Sequence, residues 1–143
     1  MRRADSKIVS RIELRALLDE AKQQRKRVVL ANGCFDTLHV GHVRYLAGAK
    51  KEGNLLVVGV NSDASVGNLK GPGRPILDQQ ARAQLVAAIN DVDYVVVFPE
   101  PNVESLLEAP QARCPRQRHG LHARNRSGAR GRRAPRDLRG HRR

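Results

Sequence analysis

Two histidines three residues apart, His39 and His42, flank Gly41 at the end of the string N-G-C-F-D-T-L-H-V-G-H. Imidazoles at i and i+3 reach the same side of a helical turn. At a helix start they would join backbone N–H groups that lack intrahelical acceptors and the positive end of the helix dipole. Such a convergence suits a phosphate, above all one gaining charge in a transition state. Gly41 lets that phosphate approach the backbone closely. A bare H-x-x-H is more often a surface or capping feature, and it is the longer string that gives the pair its chemistry. Cys34 lies in the same string; packing of a small residue beside the phosphate site explains it better than a nucleophilic role.

The elements that must position these groups are legible on either side. Val28-Val29-Leu30-Ala31 is an unbroken apolar run of the kind a buried parallel strand shows, and Asn32-Gly33 reads as the turn that ends it. Val40, Val43, Leu46 and Ala47 recur at helical spacing, with Arg44 and Lys50 between them. The motif therefore sits where a strand gives way to a helix, the place where open α/β sheets bind ligands.

The flanking chain supplies the rest of an α/β unit. Ser10 to Gln24 predicts a helix, with Ser10 as cap, Glu13 at the capping-box position and an apolar face of Ile12, Leu14, Leu17, Leu18 and Ala21. After a turn at Glu52-Gly53-Asn54, Leu55 to Val60 is a second buried strand, and a strand–helix–strand unit of this length implies a parallel pair. Asn61, Ser62 and Asp63 follow at its carboxyl end, either as substrate contacts or as a cap for the next turn. Leu69 to Pro75 holds two glycines and two prolines, so no regular element is expected there; its Lys70 and Arg74 suit a clamp on an anion. Asp78 caps a helix running to about Ile89, with Leu85, Val86 and Ile89 on one face, and Asp93 to Phe98 is a third strand. Asn102 to Ala109 begins another helix, and Phe35 and Phe98 read as core.

The chain has 143 residues, enough for one domain, and a net charge of +13. Of that charge +11 belongs to residues 110–143, which contain 12 Arg, no Lys and a single acid, Asp137; residues 1–109 carry only +2. The basicity is a property of the tail, and the domain itself does not resemble a nucleic-acid binder. Two cysteines, Cys34 and Cys114, make no disulfide framework and fit a reducing cytoplasm. No metal-ligand spacing, signal peptide or membrane-length apolar run is present, so a cytoplasmic protein is expected.

Three strings are specific enough to point to a family: N-G-C-F-D-T-L-H-V-G-H-V-R-Y-L (Asn32 to Leu46), V-G-V-N-S-D-A-S-V (Val58 to Val66) and L-K-G-P-G-R-P-I (Leu69 to Ile76). Together they resemble the cytidylyltransferase-like nucleotidyltransferases, and within them the heptose 1-phosphate adenylyltransferase domain of ADP-heptose synthesis, over residues from about Lys7 to Ala109. The resemblance implies a Rossmann-like parallel sheet with flanking helices, the HxGH nucleotidyltransferase fold, C-terminally incomplete here. It implies transfer of AMP from ATP to a sugar 1-phosphate with release of pyrophosphate. His39 and His42 would be catalytic. Gly33, Cys34, Phe35, Gly41 and Lys70 would bind nucleotide, and Asp36, Asn61, Asp63, Arg74 and Arg82 would bind substrate. Mg²⁺ would arrive with ATP, no protein metal site being visible. ATP and a sugar 1-phosphate would be the partners, with no membrane, no specific nucleic acid, and a homodimer left open. Gly67-Asn68 departs from the family, whose members often carry basic residues there. Two other readings stand beside this one: a glycerol 3-phosphate cytidylyltransferase, and an inactive fragment with nonspecific nucleic-acid affinity through its tail.

Residues 1–109 thus read as the nucleotidyltransferase portion and 110–143 as an Arg-rich tail. From Pro110 onward there is no Val, Ile, Phe, Tyr or Met, too little apolar surface to offset chain entropy, and disorder is expected. Back-translation with permitted codons and removal of one base near codons 109–110 lets the tail read A-L-K-P-D-V-H-A-K-G-T-D-Y, then V-P-E and Y-G-G. These resemble the family's continuation, so the tail is expected to be out of frame.

Overall fold

The computed structural model describes residues 2–99. The predicted helix at Asn102–Ala109 and the tail from Pro110 lie outside them. Three strands, β1 (Val28–Gly33), β2 (Leu55–Asn61) and β3 (Tyr94–Phe98), form one parallel sheet in the order β1-β2-β3. Val28 pairs with Leu55 and Gly33 with Val60, while Val57 pairs with Tyr94 and Asn61 with Phe98. All three carboxyl ends therefore face the same way. β1 runs on through Asn32-Gly33 instead of turning there as the dipeptide predicts; ladder pairing with Gly59 and Val60 holds both residues extended.

Four α-helices cover the sheet: α1 (Arg11–Gln23), α2 (Val40–Lys51), α3 (Asp63–Lys70) and α4 (Gln79–Ala87). The strands' two-residue period divides their side chains between the two faces. Val29, Ala31, Leu56, Val58, Val60 and Val95 pack with Leu46 of α2 and with Ala83, Val86 and Ala87 of α4. Val57 and Val96 face the other way and meet Leu14 of α1. The architecture is a layered Rossmann-like α/β sheet with the main core beneath α2 and α4.

Local signals set the helix starts. Ser10 accepts from the Glu13 N–H while the Glu13 carboxylate accepts from the Ser10 N–H, the reciprocal capping box expected there. Those hydrogen bonds hold the Glu13 carboxyl below its ordinary pKa. Asp78 caps α4 through the Ala81 N–H, as anticipated. At the far end of α2, Lys50 bonds the Asp93 carboxylate, which also accepts from the Leu56 N–H. That contact fixes the helix to both β2 and the entry to β3.

Several predicted faces are corrected. Ile12 is 85% exposed, because α1 buries Leu14 and Ala21, two turns apart, on the opposite side. Val40 and Val43 are exposed, since α2 is seated through Leu46 beyond its first turn. On α4 the buried stripe is Arg82, Ala83, Val86 and Ala87, and Leu85 points outward. Leu69 and Lys70, expected in an irregular loop, close the last turn of α3. The irregular segment starts at Gly71, whose φ of 88° is one that glycine adopts without steric cost.

Candidate active site at the carboxyl edge of the sheet

β1 ends at Gly33 and the chain turns through Cys34–Leu38 before α2 begins at Val40. Phe35 takes a left-handed backbone conformation, with φ 49°, unusual for a bulky residue. Its ring is buried in the core and its centroid lies 5.3 Å from that of His42. A Cβ at Gly33 would stand 3.1 Å from the Phe35 ring, so the small residue lets the aromatic fold back beneath the loop. Backbone strain of this kind concentrates at ligand sites, where the surrounding packing maintains it.

His39 is the N-cap of α2 and His42 sits three residues on, with ring centroids 4.0 Å apart. The Gly41 N–H donates to His39 Nδ1 at 3.0 Å, and the His39 N–H donates to His42 Nδ1 at 3.3 Å. A backbone N–H can only donate, so both Nδ1 atoms are unprotonated acceptors. The neutral rings then carry their protons on Nε2, and each keeps one donor for a ligand. The pair is a capping box and a donor pair at once. A Cβ at Gly41 would fall 2.8 Å from His39 Cε1, so only glycine leaves the ring its place. Burial, then the adjoining His39 and the charge of Lys70, hold the His42 imidazole below its ordinary pKa and favour the neutral form.

The other expected residues divide into two groups. Lys70 is exposed at the end of α3, and its charge is felt at His42, Cys34 and Asp36. Asp63 begins α3 and is half-open. The remaining expected substrate residues are tied into the scaffold. Asp36 is buried and accepts from Arg74 Nη1 at 2.6 Å and from the Ile76 N–H at 2.7 Å. Burial alone would raise its pKa, but these bonds and the charges of Arg74 and Lys70 leave it below the usual carboxylate value. Asn61 is buried and donates to Ser65 Oγ at 3.0 Å, while Ser62 caps α3 through the Ser65 N–H. Of the two roles open for 61–63, capping is what Ser62 does. Cys34 is half-buried, its Sγ 3.9 Å from Asn61 Oδ1, and burial raises its thiol pKa against the opposing charges of Lys70 and Arg82. A raised pKa is the reverse of what a nucleophilic thiol needs.

Arg82 differs most from its expected place at the substrate. It is wholly buried. Its Nη1 donates at 2.7 Å to both the Cys34 and Asn61 carbonyls, its Nε to the Leu77 carbonyl at 2.9 Å, and its Nη2 to the Asp63 carboxylate at 2.8 Å. One planar guanidinium thus ties together the ends of β1 and β2, the start of α3 and the approach to α4. A position on a short, weakly amphipathic helix gave no sign of this burial. Ser65, buried behind Asn61, went unnoticed in the sequence, and its only signal was a hydroxyl near the start of a helix.

An all-parallel sheet whose carboxyl edge presents two Nε2–H donors at a helix start is a nucleotide-handling α/β arrangement, and the family match below makes it a nucleotidyltransferase. The chain belongs to the cytidylyltransferase-like family, whose model matches residues 30–123. That match continues past Ala109, where the motif resemblance ends. Among curated relatives, the bifunctional protein HldE of Syntrophotalea carbinolica is 52% identical over 104 residues, 73% of this chain and 21% of the relative. HldE of Pelobacter propionicus is 50% identical over 106 residues, 74% and 22% respectively. The chain thus spans about a fifth of the length of these relatives. A lipopolysaccharide core biosynthesis protein from Thermoplasma volcanium is structurally similar, with TM-score 0.52 and 34% identity over 58% of this chain and 67% of that one. No helix among the described residues is long and apolar enough to cross a membrane.

Proposed function

We propose that the chain is an adenylyltransferase domain that joins AMP from ATP to heptose 1-phosphate in ADP-heptose synthesis. The single observation that carries the phosphoryl chemistry is the pinning of both Nδ1 atoms by backbone N–H groups, which leaves two neutral Nε2–H donors side by side. The heptose acceptor rests on the motif strings and on relatives named HldE at about half identity. An oxygen of the sugar phosphate attacks the α-phosphorus of ATP, the bond from that phosphorus to the β-phosphate's bridging oxygen breaks, and pyrophosphate leaves with the electron pair. The attacking oxygen is already anionic, so no general base is required. His39 and His42 donate to the oxygens of the α-phosphate as their charge grows, with the α2 N-terminus behind them, and Lys70 offsets charge on the phosphates.

No group of three or more His, Cys, Asp or Glu side chains among the described residues could hold a metal ion. Mg²⁺ is accordingly proposed to come on the nucleotide phosphates, where it would supply charge neutralisation. The cytoplasm is the proposed compartment.

Turnover with a panel of nucleoside triphosphates and sugar phosphates tests the proposal. It is to be run on the 143-residue chain and on a version with the reading frame restored near codon 110. The restored chain should turn over ATP with heptose 1-phosphate, the chain as written slowly or not at all, and His39→Ala in the restored chain should abolish turnover. Preference for CTP with glycerol 3-phosphate would overturn the adenylyl reading, and equal rates for the two chains would remove the functional weight of the frame.

A further inference from the structure

The segment between α3 and α4, residues 71–78, carries positive φ at Gly71 and Gly73 and has few apolar anchors, with Ile76 64% exposed. Two charged side chains tie it down. Asp36 in the histidine loop grips it in the middle, through the Arg74 guanidinium and the Ile76 N–H. Arg82 holds its far end through the Leu77 carbonyl and also binds Asp63 at the start of α3. Lys70 immediately precedes the segment, as the last residue of α3. A carboxylate with no exposed side-chain surface requires a close cation, and Arg74 supplies it at 2.6 Å. Arg74 therefore cannot turn to a substrate phosphate without leaving Asp36 buried and uncompensated.

We propose that the Asp36–Arg74 pair is a latch that straps residues 71–77 to the histidine loop, making Arg74 a positioning residue that fixes the segment directly after Lys70 rather than a ligand of the substrate. The inference deepens the reading of this edge as a phosphate site, but its tests need no turnover, so its failure is distinct from the failure of the adenylyltransferase reading. Two sites in the strap differ in their response to trypsin: the Lys70–Gly71 bond is a substrate, whereas Arg74 is followed by Pro75. Cleavage through a transiently opened segment follows the population of the open form.

In the full 143-residue chain, Arg74→Ala and Asp36→Asn should each speed tryptic cleavage after Lys70 by about tenfold, the exposure of Arg74 limiting the effect. The Lys70 charge lowers the His42 pKa, so displacing Lys70 should raise the His42 midpoint. By histidine NMR, Arg74→Ala should raise the His42 midpoint in the same direction as Lys70→Met, and the double variant should match Lys70→Met alone. Asp36→Asn keeps an acceptor for the Ile76 N–H and nearly the same volume, and it gives the same reading if Arg74→Ala fails to fold. Parental cleavage rates and a parental His42 midpoint in the folded variants would overturn the latch. Additive midpoint shifts in the double variant would overturn it equally.

Discussion

Replacing Gly41 by alanine sets two local terms against each other and separates stability from binding. The new Cβ would lie 2.8 Å from His39 Cε1 and 2.9 Å from His39 Nδ1, closer than real Cβ contacts, so the His39 ring must swing away. The Gly41 N–H to His39 Nδ1 bond is then lost, and losing an N-cap interaction costs about 0.5–2 kcal/mol. Alanine in a helix returns up to about 1 kcal/mol relative to glycine. Net stability should therefore change by no more than about 1 kcal/mol, measured by urea denaturation. The binding side has no compensation. His39 Nε2 leaves its place beside His42, and a hydrogen bond to a charged group is worth roughly 1.5–3 kcal/mol. Affinity for ATP or pyrophosphate, measured by calorimetry on the frame-restored chain, should fall by roughly ten- to a hundredfold. The ¹⁵N shift of His39 Nδ1 should move toward that of a free imidazole. Unchanged affinity together with an unchanged His39 spectrum would refute the pinned-tautomer argument. A stability loss of several kcal/mol would refute the account of the cap.

Three further outcomes are expected. Arg82→Met should destabilise the fold by about 3–5 kcal/mol, because it strips the Cys34, Asn61 and Leu77 carbonyls of a buried donor and frees Asp63, and denaturation midpoints will show it. Acid should weaken the fold in two steps. His42 is depressed when folded, so its contribution is complete above about pH 6.5 and falls as pH drops below that value; Asp36 adds a second loss below about pH 4. His42→Gln should remove the first step and leave the second in a pH series of melts. RNA binding by the 143-residue chain should exceed that of residues 1–109, lose its advantage as salt rises and show no sequence preference, in filter binding at several salt concentrations.

What the sequence determined by itself was what depends on short-range pattern. Apolar runs at Val28, Leu55 and Tyr94, short and bounded by turn residues, read as buried strands, and their spacing with intervening helices left parallel pairing as the economical solution. Ser10 and Asp78 marked helix starts because capping is a matter of three or four neighbouring residues. His39 and His42 came together for the same reason, being one helical turn apart. The tertiary structure alone decided where each polar group spends its hydrogen bonds. Asp36 and Arg74 are 38 residues apart, and Arg82 reaches back 48 residues to the Cys34 carbonyl. No local rule could foresee that Arg82 would be the wholly buried residue while Leu85 and Ile12 stayed in water. A buried guanidinium is stable only where several carbonyls from separate segments converge, and that convergence exists only after the strands have aligned their carboxyl ends.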